Sequence, residues 1–442
     1  MAVLAPEAPT ATPALPRVVG TRGFALTVIN TVVGAGVFGI PALMAAELGR
    51  NALLALVACG LVVFCIALCF AEAGTRVPDA GGYYAIAARA FGPFAGSLTG
   101  SLGWIANGAV GNAAVGALLV ALLKNYVPAL GRPGVQFVAI AFTYAALAVL
   151  TIRSTRVAVA VSSILGVAKL VPLVLLGLAL PFVVRAEALP ALPLPSGSAF
   201  GHGMILMFFA FLGSEAALGI CGECRQPSRT IPRGLIASIG FIALLYGALQ
   251  ITTASVLGPA LVAAGENALP LAATAILGTW AGRLVAIAAA MAMLSCLVAD
   301  VTCSPRVLFA MGRDGLLPRR LGAVHPTLGT PWVAVAFYAL LCGALVAGGT
   351  FRQLAVLGSA GTLLLDLVVA IAVLRLRAKG VRGHDAPFVV PGGPLVPLLV
   401  AGFTAIMLGT LTSVELMSTG MLVVAAAGGY LLSRLGGVER LR

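Results

Sequence analysis

Charge is what this sequence has least of. Only 9% of its 442 residues are Asp, Glu, Lys or Arg, and just 14 are acidic. A soluble globular domain carries about a quarter charged residues, so that class is excluded. No Gly-x-x-x-x-Gly-Lys-[Ser/Thr] run occurs, which excludes the common phosphate-cradling loop and argues against ATP drive. Histidine is almost absent: His202, His325 and His384 fall at span ends or in loops and do not converge. A membrane-embedded enzyme therefore lacks a base or metal constellation at one depth. The alternating ten-residue segments of a β-barrel are missing. Missing too is the basic stretch followed by an apolar run that opens a secretory leader, so the Ala/Pro-rich residues 1–20 read as a disordered cytosolic tail.

What is abundant is apolar. Hydrophobic residues make up 60% of the chain and the mean hydropathy is +1.09. The class is an all-α polytopic membrane protein with about twelve transmembrane helices. The hydrophobic runs place spans near 22–46, 52–74, 95–124, 134–152, 157–184, 200–222, 233–257, 281–311, 331–348, 352–377, 392–411 and 416–434. Residues 259–277 are too polar at Glu266-Asn267 to cross and read as an outer loop with a short helix. With both termini inside, 20 of the 27 basic residues fall in cytosolic segments and 6 outside, leaving Lys169 within a span. This positive-inside bias accounts for the net charge of +13 without a nucleic-acid partner. The eight cysteines lie mostly in apolar runs and read as small core residues. Cys221-x-x-Cys224 has metal-ligand spacing, but no second pair or nearby histidine completes a site.

One stretch organises the rest: Asn30-Thr31-Val32-Val33-Gly34-Ala35-Gly36-Val37-Phe38-Gly39-Ile40-Pro41. Each glycine in a helix interior costs about 0.8–1.0 kcal/mol relative to Ala. Unpaired backbone groups at bilayer depth survive only where protein or a wet cavity meets them. The stretch is either a close helix–helix contact or a broken helix with a polar ligand at the break. Span 6, in the matching place of the second half, is interrupted at Gly213–Gly219. Paired interruptions of this kind point to a transporter binding site.

Five motifs in order carry a resemblance. They are the glycine break at 34–38, Ala71 to Tyr83 after span 2, and Phe209-Ala210-Phe211-Leu212-Gly213-Ser214-Glu215 leading to Glu223–Arg233. Arg306–Pro318 follows span 8, and Leu374–Arg377 precedes Pro387–Gly392. The chain resembles the amino acid–polyamine–organocation transporter family over nearly all its length. The resemblance implies a LeuT-like 5+5 inverted repeat: residues 21–185 as the first repeat, 186–378 as the second, and two further helices in 379–442. It implies a secondary active amino acid transporter of the cell membrane with no cofactor, and with the substrate, the lipid bilayer and candidate coupling protons as its partners. Sodium is not expected. Neutral amino acids are slightly favoured over cationic ones or polyamines. A membrane enzyme and a channel are the readings from other classes.

A helix broken at mid-membrane presents N–H groups suited to a carboxylate and carbonyls suited to an ammonium. The α-carboxylate is assigned to the amides of Gly34, Ala35 and Gly36, and the α-ammonium to carbonyls near Val32, Val33 and Phe208 to Phe211. Phe209 falls where the family often has a covering aromatic, with a lipid-facing or core Phe as the alternative. Asn112 either lines the pocket, as in relatives, or makes a helix–helix hydrogen bond. Family members without sodium have a span-5 lysine in place of a bound cation, here Lys169, with Ser295 or Cys296 as its span-8 neighbour. Glu72, Glu215 and Glu223 read as structural. Asp300 and Asp366 depart from the family pattern, and an intramembrane carboxylate is a functional hypothesis by default. Asp300 is open to three roles: pairing with Lys169, carrying a coupling proton, or receiving a second positive group on the substrate. Asp366 is grouped with Lys169, Ser295 and Asp300 as a coupling residue.

Overall fold

Apolar periodicity without strand-forming alternation leaves the backbone one way to satisfy itself in lipid, which is helix. The computed structural model describes residues 19–78, 82–188, 195–215, 224–383 and 386–435, and among these it is helical with no named strand. Span 1 is two helices, α1 (Thr21–Val32) and α2 (Gly36–Leu48). The 25-residue α3 (Ala52–Arg76) is followed by α4 (Gly82–Phe91). The third span runs as α5 (Pro93–Leu102), a π-helical segment (Gly103–Val110) and α6 (Gly111–Lys124). Then come α7 (Pro133–Arg153), α8 (Thr155–Ala168), α9 (Leu170–Leu178) and α10 (Leu180–Val183). In the second half α11 (Gly197–Phe209) leads to α12 (Pro227–Leu257), the short α13 (Leu261–Ala264) and α14 (Ala268–Leu277). The last helices are α15 (Thr279–Arg313), α16 (Trp332–Gly348), α17 (Phe351–Ala378), α18 (Leu395–Gly409) and α19 (Ser413–Leu435).

Among the described residues eight helical stretches are long and apolar enough to cross a membrane, judged by length and composition. About 20 residues are needed to cross. The halves of the broken spans fall below that length, as do α16 at 17 residues and α18 at 15. Large apolar side chains line the outside, among them Phe182 at 88% exposure, Leu244 at 77% and Phe142 at 74%, as a lipid-facing surface requires.

Three features position the site. The break in span 1 falls at Val33–Ala35, as the glycines predict. Span 6 stops being α-helical after Phe209, where Gly213 takes a φ of +111°, a conformation that favours glycine. Its expected interruption reaches Gly219, which lies outside the described residues, as do Glu223, Cys221, His384 and the tail before Val19. The third feature is the π segment Gly103–Val110, inside the hydrophobic run 95–124. Its wide turn lets Gly103 approach the Tyr83 ring and Gly108 the Tyr338 hydroxyl, where a Cβ would stand 2.3 and 2.8 Å from the nearest atoms.

Glu72 has the structural role expected of it. Fully buried, it accepts from Arg76 Nε at 2.8 Å, from Arg377 Nε at 2.7 Å and Nη2 at 2.5 Å, and from Val390 N at 2.8 Å. One carboxylate thus ties α3, α17 and the approach to α18.

Candidate functional site

The last α-helical bond of α1 runs from Val33 N–H to Ile29 O at 2.9 Å. The new helix α2 first bonds through Phe38 and Gly39 N–H to Ala35 O at 3.0 and 3.2 Å. The N–H groups of Gly34, Ala35, Gly36 and Val37 are thereby left without an intrahelical acceptor, the arrangement that receives a carboxylate. Gly36 sits against span 6, where a Cβ would stand 2.5 Å from Ala210 Cα; Gly34 sits against span 8, where a Cβ would stand 2.6 Å from Cys296 Sγ.

The carbonyl end of α1 is capped by two side chains. Lys169 Nζ donates to Asn30 O at 2.9 Å. Tyr246 Oη reaches Val32 O at 3.1 Å and Ala210 O at 3.0 Å, bridging the ends of both broken helices. The Thr31 hydroxyl lies 3.0 Å from Thr27 O and Val28 O of its own helix and 3.2 Å from Gly213 O across the junction. Of the carbonyls assigned to a substrate ammonium, Val32 is therefore met by Tyr246. Those of Phe208 and Phe209 accept from Phe211 and Leu212 N–H at 2.9 and 3.3 Å within the span-6 turn.

The aromatics flank this junction. Phe211 packs on Tyr246 with ring centroids 5.4 Å apart. Phe209 meets Phe351 of α17 edge-to-face, also at 5.4 Å. Phe351 in turn lines a cavity of about 350 Å³ with Gly39, Leu118, Lys124, Glu266 and Arg352. The Phe209–Phe351 pair connects the break region to that cavity's wall.

The remaining expected residues fall into separate groups. Cys296 lies against Gly34 at the break, whereas Ser295 and Ser162 of α8 exchange hydroxyl-to-carbonyl bonds at 2.9 and 3.1 Å. Asp300 accepts from the hydroxyls of Ser304 and Tyr338, one on each oxygen. Asn112 is buried beside Asp300, and its Oδ1 accepts from Tyr144 at 2.8 Å, the helix–helix bond that was one of its two readings. Asp366 is buried at 1% exposure, and neither of its oxygens has a hydrogen-bond partner among the described residues.

Sequence reasoning missed Tyr246, Phe351, Thr31 and Tyr338. A tyrosine or threonine amid apolar residues was the available signal, a buried hydroxyl being obliged to find an acceptor.

Comparison with known proteins places the chain in a family. The family described as amino acid permease matches residues 20–431. The serine/threonine exchanger SteT of Bacillus subtilis (strain 168) is 28% identical over 425 residues, which cover 92% of this chain and 94% of that protein. The branched-chain amino acid permease BcaP of the same strain is 27% identical over 432 residues, covering 91% and 90%. The vacuolar cationic amino acid transporter 2 of Arabidopsis thaliana is 28% identical over 374 residues, covering 79% and 58%. The chain belongs to the amino acid permease family, and it is a multi-pass membrane protein, a transporter and not an enzyme.

Proposed function

We propose that this protein moves amino acids across the cell membrane by alternating access, without sodium, either with protons or by exchange. The observation that carries the reading is the Lys169–Asn30 bond at the end of α1, beside the free N–H groups of the break. The ammonium of Lys169 stands where a cation would otherwise join the spans. The unpaired N–H groups receive the α-carboxylate, and the Phe209–Phe351 pair covers it. The associated topology is twelve spans in two inverted sets of five plus two, both termini cytoplasmic.

Neutral amino acids are the favoured class. Both oxygens of Asp300 already accept hydroxyl bonds, which supports a scaffold role for it rather than that of a receptor for a second substrate cation. The names of the Bacillus relatives, which cite serine, threonine and branched-chain amino acids, support the same class.

The test is a binding screen of all common amino acids and polyamines on purified protein, followed by uptake into proteoliposomes with and without sodium. Saturable, sodium-independent uptake of neutral amino acids is the expected result. Binding confined to polyamines, or uptake that needs sodium, overturns the proposal.

A further inference from the structure

The histidine of span 6 stands between two carboxylates carried by other spans. His202, in the first half of α11, has Nε2 3.1 Å from Glu415 Oε1 at the start of α19 and Nδ1 3.9 Å from Glu47 Oε2 near the end of α2. The other oxygen of each carboxylate is already engaged. Glu47 Oε1 meets Arg352 Nη2 of α17 at 2.5 Å, and Glu415 Oε2 accepts from Thr412 N at 2.9 Å. The glycines on either side of His202 let α11 approach the same two places. A Cβ on Gly203 would stand 2.7 Å from Leu48, and one on Gly201 would meet Thr410. Of the other helices packed against α11, α18 has no titratable side chain. The α3 helix has three thiols, Cys59, Cys65 and Cys69, and no charged side chain before Glu72 at its far end. Among the described residues Arg352 is thus the one guanidinium or ammonium in ion-pair contact with the two carboxylates. The side chains of His202, Glu47 and Glu415 are 14, 18 and 26% exposed, so water reaches all three.

A neutral imidazole has one N–H and one lone pair, so it can donate to one of these carboxylates and turns its lone pair on the other. The Glu47 contact, at 3.9 Å, is too long for a hydrogen bond but within ion-pair range, so only an imidazolium gains from it. Protonation also balances the group, two carboxylates then facing one guanidinium and one imidazolium. We propose that His202 is a proton-binding site that fastens the end of span 6 to spans 1 and 12. The proton comes from water and adds to the imidazole nitrogen that lacks one; no other bond changes. Histidine ordinarily changes charge between about pH 5 and 8, so the fastening follows the pH on that side of the membrane. The purpose of the site rests on the transporter reading, whose topology puts these helix ends outside. The α2 and α11 helices are the outer halves of the two broken spans, and in alternating access their ends must part to admit substrate from outside. Acid on that side holds them together.

The test needs no amino acid. Hydrogen–deuterium exchange of the purified full-length protein in lipid nanodiscs is measured at pH 8 and pH 6, with rates corrected for the intrinsic pH dependence of exchange. In the wild type, protection of residues 44–48, 197–203 and 410–416 is expected to rise about threefold at the lower pH, the yield of part-exposed ion pairs. His202→Gln is expected to show equal protection at both. Glu415→Gln is expected to lose the rise at 410–416 and to keep it at 44–48, where Glu47 remains. A wild type without the rise overturns the site, as does a rise that survives in His202→Gln. If His202→Gln does not fold, a rise at 410–416 that persists in Glu415→Gln overturns it equally. Amino acid uptake plays no part in these outcomes, so its absence would count against the transporter reading alone.

Discussion

Lys169 and Asn30 meet through a single bond of 2.9 Å from the lysine ammonium to the asparagine carbonyl, joining the middle of span 5 to the end of α1. Lys169→Ala leaves Asn30 O buried without its donor, a loss of about 1–3 kcal/mol. The expected result is lower thermal stability and loss of net transport. Thermal unfolding and uptake by the same preparation check it, and wild-type transport rates in the variant would contradict the role.

Gly36 packs on Ala210, where an added Cβ would stand 2.5 Å from the Cα. Gly36→Leu must push the two broken helices apart and so distort the proposed substrate site at the break. Substrate affinity is expected to fall by more than about tenfold, equivalent to about 1.4 kcal/mol. Equilibrium binding checks this. Unchanged affinity would place the substrate elsewhere.

Tyr246 bridges Val32 O and Ala210 O through one hydroxyl. Tyr246→Phe keeps the ring against Phe211 and removes the bridge. Its cost is expected at about 1–3 kcal/mol of stability. The affinity for substrate is expected to weaken, because the ends of α1 and α11 are no longer tied. Thermal unfolding with and without saturating substrate separates the two effects.

Glu72 is fully buried between Arg76 and Arg377. Glu72→Gln removes the negative partner of both guanidinium groups, and breaking a buried pair costs about 3–5 kcal/mol. A marked drop in unfolding temperature is expected, with substrate affinity in the surviving protein unchanged.

Much of this arrangement was legible in the sequence, because its cause is local. Glycines 34 and 36 announce the break in span 1, and Gly213 adopts a backbone angle that favours glycine. Lys169 stood out because a cation in mid-span needs a partner. The partners themselves were not legible. Tyr246 meets Val32 across 214 positions of chain and Tyr338 meets Asp300 across 38, and nothing in a run of apolar residues says which helix faces which. The π segment was hidden for another reason: its residues suit an α-helix equally well, and the wider turn answers to the packing of Tyr83 and Tyr338 on its glycines.

The central claim is sodium-independent amino acid transport with Lys169 in place of a bound cation. Its most direct test is uptake of radiolabelled L-amino acids into proteoliposomes, with sodium fully replaced by choline. The account predicts saturable uptake that is equal in both media and abolished in Lys169→Ala. Uptake that rises strongly with sodium in the wild type would contradict it.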